Sequence, residues 1–83
     1  MIINNTPAPM FRVSRRSRSG EWRPATRHRR YDDAMVVAQG MVLGGIASQT
    51  RVWQVCAGES RIIARVGSVK RFGAEPAIVT KTV

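Results

Sequence analysis

The chain has 83 residues, room for one domain with a small core, since a chain of that order buries only about 60% of the surface it exposes when unfolded. A hydrophobic content of 43% supports a globule rather than wholesale disorder, and no apolar run approaches the roughly 20 residues of a membrane span. Fourteen Lys plus Arg against five Asp plus Glu give a formal charge of +9, which directs attention to anionic partners.

Of the cations only Lys70 and Lys81 are lysine. Arginine presents a planar fork that pairs bidentately with phosphate or carboxylate and stacks on flat rings, so the bias itself suggests anion contact. A codon preference for arginine is the alternative source. One cysteine, Cys56, excludes an internal disulfide and suits a reducing cytosol.

Residues 1–9 mix Asn, Thr and Pro without a period and read as a flexible leader; they show no charged region followed by an apolar run, so no signal peptide is expected. From Met10 the residues Phe11 and Val13 alternate with Arg12 and Ser14, the period-2 signature of a half-buried strand. Ser17 to Glu21 form a turn, with Gly20 free to take positive φ. "WRPATRHRRY" resumes extended character. Pro24 cannot donate to a ladder, so this strand is an edge strand or begins after the proline.

"DDAMVVAQGMVLGG" reads as a helix with Asp32 as its N-cap and both Asp32 and Asp33 at the positive end of the dipole. Ala34, Val37, Ala38 and Met41 form one apolar face, and Gly44-Gly45 supplies a left-handed stop. Val36, Val42 and Leu43 extend the apolar girth, as in a short helix packed deeply on a sheet. A hairpin follows, with strands at Thr50–Cys56 and Arg61–Val66 joined by residues 57–60. "PAIVTKTV" adds a fifth edge strand or stays free.

The expected architecture is α+β: strand, strand, helix, strand, strand (ββαββ), a four-stranded and mostly antiparallel sheet with one helix on one face. The domain occupies residues 10–72 and the tail 73–83. The helix is expected to bury Phe11, Val13, Ile62, Ala64 and Val66, leaving Arg12, Ser14, Arg16, Arg61, Ile63 and Arg65 on the open face. The second strand offers Ala25 in one register and Thr26 in the other, neither a strong anchor, so its facing stays open.

Catalytic chemistry finds little support. One histidine and one cysteine do not make a structural zinc site, which takes four ligands of those types, so no metal is expected. Cys56 lies in an apolar strand and reads as a structural thiol, and His28 as a surface strand residue rather than a general base. No glycine-rich phosphate loop is present. The expectation is therefore a non-enzyme without a cofactor.

A basic hairpin suits a β-ribbon that tracks phosphates. The helix lacks basic residues and is no recognition helix, and the aromatic pairs of a base-stacking RNA sheet are not evident. Trp22 and Trp53 read as core-edge residues. The helix also lacks the Lys and Arg needed to lie on an anionic membrane, so no membrane is expected. "SRRSRS" matches a short arginine-serine segment that a kinase could phosphorylate, but the hairpin reading explains it better.

The stretch Phe11 to Val66, with "FRVSRR", "EWRPATRH", "YDDAMVVAQGMV", "TRVWQVC" and "RIIARV", covers about two thirds of the chain. In size and element order it resembles the anti-CRISPR inhibitors, very small phage and prophage proteins in which one helix lies between two hairpins. The resemblance implies an inhibitor in the cytoplasm of a bacterial host that blocks a CRISPR effector or similar complex. The basic charge departs from acidic, DNA-mimicking members and implies a grip on acidic protein surface, or on the nucleic acid such a complex holds. The alternative is a stand-alone, non-specific DNA- or RNA-binding protein. The expected contact residues are Arg15, Arg16, Arg18, Arg23, Arg27, Arg29 and Arg30 of the hairpin region, supported by Arg12, Arg61 and Arg65 from the open face.

Overall fold

The computed structural model describes residues 8–69 and 77–83. Its elements are β1 (Met10–Arg16), β2 (Trp22–His28), α1 (Tyr31–Leu43), β3 (Gln49–Cys56), β4 (Glu59–Val69) and β5 (Ala77–Thr82). The five strands form one sheet in the order β2-β1-β3-β4-β5, every neighbouring pair antiparallel, and α1 packs on one face. The small α+β domain expected from the sequence is present, with the C-terminal segment as a fifth strand at the edge. The expected leader falls outside the described residues except for residues 8 and 9, and so does the boundary at 72/73.

Alternation dictates the core. Val13 of β1, Val52 of β3 and Ala64 of β4 are directly paired in one row, and all three are fully buried. Thr50 and Val66 extend the same face in the next row. Against them α1 sets Ala34, Ala38 and Val42, spaced i, i+4, i+8, so one stripe of small residues meets the sheet. The Thr50 hydroxyl donates to the Ala38 carbonyl at 3.0 Å, which satisfies a polar group in the interior. Phe11 and Tyr31 close one end with an edge-to-face contact, ring centroids 5.9 Å apart. Gln39 Nε2 donates to Thr80 Oγ1 at 3.2 Å and ties the helix to β5. Of the residues expected to extend the apolar girth, Val42 is buried, but Val36 is 68% and Leu43 74% exposed, because a single helix on a sheet has an outer side.

The helix ends differ in how far they match expectation. Asp32 is not the N-cap. Arg30 takes that position in extended conformation without a side-chain cap, and Asp32 and Asp33 lie inside the first turn, where their charge still meets the positive end of the dipole. At the other end Gly45 has φ +74°. Its N–H bonds to the Val42 carbonyl at 3.2 Å and that of Ile46 to the Met41 carbonyl at 3.0 Å, the paired closure that a left-handed residue after a helix permits.

Two bulges reset the alternation. In β2, Val13 pairs with Thr26 but Ser14 pairs with Pro24, which leaves Ala25 as an extra residue. Thr26 and His28 therefore share the helix side, whereas Trp22, Pro24 and Arg27 face the other way. In β4, Val52 pairs with Ala64 but Trp53 pairs with Ile62, so Ile63 is the extra residue. The expectation that Ile62 is buried and Ile63 open is thereby reversed: Ile62 shares the open face with Trp53, and Ile63 packs against the core. Arg61 moves with it to the helix side, where Nε and Nη2 donate to Gln54 Oε1 at 3.3 and 3.1 Å.

The β3–β4 loop is shorter than expected. Only Ala57 and Gly58 separate the paired residues Cys56 and Glu59, with φ values of 52° and 80°. Positive φ at both central residues is the pattern of a type I′ hairpin turn, which matches the twist of the flanking strands. Alanine tolerates this region poorly. Ala57→Gly is expected to raise the urea midpoint by an increment equivalent to about 0.5–1 kcal/mol, with an unchanged slope of free energy against urea. A lower midpoint would mean that chain entropy outweighs the relief of strain.

Candidate functional site

Among the described residues, no helix covers the face opposite α1. Two rows cross it. Arg27, Arg12, Trp53 and Ile62 are successive cross-strand partners on β2, β1, β3 and β4. Pro24, Ser14, Arg51, Arg65 and Lys81 are successive partners from β2 to β5. Arg16 pairs with Trp22 at the turn end, and its guanidinium lies against Gly20.

Two arginine–tryptophan stacks organise this surface. The Arg12 guanidinium carbon sits 5.2 Å from the Trp53 ring centroid, and that of Arg51 only 3.7 Å from the Trp22 centroid. Such contacts contribute about 0.5–1 kcal/mol at exposed sites and hold the side chains in place. Trp53 Nε1 donates to Ser14 Oγ at 2.9 Å, which fixes its indole across β1. Both tryptophans are half-buried, but on the open side of the sheet rather than at the edge of the helix-covered core. That corrects the core-edge reading; the bulge at Ala25 turns Trp22 outward, and the pairing with Arg12 does so for Trp53.

Among the described side chains, charge on this face is one-signed. Of the described carboxylates, Glu21 is in the β1–β2 turn, Asp32 and Asp33 are in α1, and Glu59 pairs with Cys56 on the helix side. None of them lies on the open face. The ion pair seen among the described residues, Arg23 Nη2 to Glu21 Oε2 at 3.2 Å, is exposed and contributes about 0–1 kcal/mol.

The expected contact residues divide accordingly. Arg12, Arg16, Arg27 and Arg65 reach the open face. Arg15, Arg23 and Arg61 point to the helix side, Arg18 is in the turn, and Arg29 and Arg30 link β2 to α1. Sequence reasoning missed Arg51, Lys81 and the two stacked indoles. Among the described residues no three His, Cys, Asp or Glu side chains converge to hold a metal. His28 Nε2 is 2.8 Å from Thr26 Oγ1, and β1 separates its strand from that of Cys56. No helix among the described residues is long and apolar enough to cross a membrane. Comparison of the chain with protein-family models, curated proteins and solved structures found no match.

Proposed function

We propose that the protein is a non-catalytic binding module whose open sheet face binds nucleic acid. The observation that supports this reading is the juxtaposition of five cations, Arg12, Arg27, Arg51, Arg65 and Lys81, with two indoles on a face where no described carboxylate lies. Phosphates supply negative charge along a line, and basic rows on adjacent strands repeat at about 4.8 Å, close enough to follow it. Contacts from such rows go to phosphates, which carry no sequence information. The module therefore binds by backbone charge and shape, not by reading sequence.

Salt dependence tests the reading. Five phosphate contacts to a single strand correspond to a slope of log affinity against log salt of about −3.5. Fluorescence anisotropy of a labelled 20-nucleotide oligomer, titrated at several NaCl concentrations, is expected to give a slope near that value. Negligible binding at low salt overturns it in favour of an acidic protein surface. An inhibitor seated on a CRISPR effector would use the same arginines in that way, and pull-down against the purified effector is its direct assay.

A further inference from the structure

We infer that the preferred ligand is single-stranded nucleic acid, with bases stacked on the two arginine–tryptophan pairs and phosphates held by the surrounding cations. The inference rests on the nucleic-acid reading above and narrows it.

Two geometric facts favour a single strand over a duplex. A five-stranded sheet spans four strand spacings, about 19 Å, and is too broad for a major groove about 12 Å wide. The helix among the described elements, α1, is not built to enter a groove, because it carries Asp32 and Asp33 in its first turn and no base in its last. A duplex would thus meet only the rim of the face. Its bases are stacked on one another and offer no free ring to an indole.

The stacks themselves supply the second argument. Trp22 lies opposite Arg16 and Trp53 opposite Arg12, four residues apart along β1 and on strands either side of it. The backbone positions of the two indoles are therefore offset by about 13 Å along the strands and about 10 Å across them. At each site a guanidinium carbon already lies over the indole, 5.2 Å from the Trp53 centroid and 3.7 Å from that of Trp22, and a base stacked beside either pair leaves the sheet as it is. Arg65 and then Lys81 follow Arg51 on one side of its row, and Arg27 neighbours Arg12, placing cations beside each platform. Stacking of one base on an aromatic side chain contributes roughly 5- to 140-fold in affinity and tolerates any base.

The experiment uses the unmodified chain and three labelled ligands of equal phosphate number per strand: a mixed-sequence 16-nucleotide single strand, the same strand with abasic sites, and the blunt duplex. Intrinsic tryptophan fluorescence is followed beside anisotropy at about 0.1 M salt. The intact single strand is expected to bind at least tenfold more tightly than either competitor and to quench tryptophan emission, while the abasic strand leaves emission unchanged. Equal affinity for all three, without quenching, overturns the stacking inference and leaves the nucleic-acid reading in place. Tighter binding of the duplex overturns it as well. Absence of binding to all three overturns both, so the two failures are distinct.

Discussion

Replacing Arg27, Arg65 and Lys81 together by glutamine is expected to weaken nucleic-acid binding about a hundredfold at ~0.1 M salt. Each phosphate contact to a single strand adds ~0.7 to the magnitude of the salt slope, hence about fivefold in affinity per contact at that concentration relative to 1 M. All three side chains are exposed on strands and no hydrogen bond of the described fold depends on them, so the fold should be retained. The decisive comparison removes the same charge elsewhere. Arg15, Arg23 and Arg61 point to the helix side, roughly a sheet thickness away, where a screening length of about 10 Å leaves them little influence on ligand across the sheet. The triple Arg15→Gln, Arg23→Gln, Arg61→Gln variant should change affinity by no more than about threefold and leave the slope almost unchanged. Equal losses from the two triples would mean that net charge, not the face, governs binding.

That comparison also marks what the sequence made legible. The strand–strand–helix–strand–strand order, the turn at Gly20, the stop at Gly44-Gly45 and the buried set Val13, Ala64 and Val66 all follow from periods and turn chemistry. The composition of the open face does not follow, because two single-residue bulges interrupt the alternation on which it depends. Strict alternation through Arg61 to Val66 places Arg61 beside Arg65; the extra residue at Ile63 sends the two to opposite faces. No residue type announces that bulge, since Ile62 and Ile63 suit either side equally. The bulge at Ala25 had a signal in Pro24, whose missing N–H belongs at an edge strand or an irregularity. Arg51 was within reach too. With Val52 inward, Arg51 and Trp53 share the outward phase of the same strand.

Ala38→Leu should be the most destabilising conservative change on the helix. Ala34 and Ala38 are both fully buried against Val13, Val52 and Ala64, so methyl-sized side chains set how closely α1 approaches the sheet. Ala38 is 0% exposed, so three further carbons there must displace its neighbours and push the helix outward. The Thr50 hydroxyl bond to the Ala38 carbonyl then lengthens with it. Overpacking of this kind costs about 1–3 kcal/mol. A domain of this size has total stability on the order of 4–12 kcal/mol, so the melting temperature should fall by about 5–20 °C. Helix propensity cannot be the cause, because leucine ranks close behind alanine. Val36→Leu is the control: it adds leucine to the same helix at a position 68% exposed, where the melting temperature should hold or rise slightly. If both variants melt alike, α1 presents a different side to the sheet, and the small-residue stripe is not what holds the two layers together.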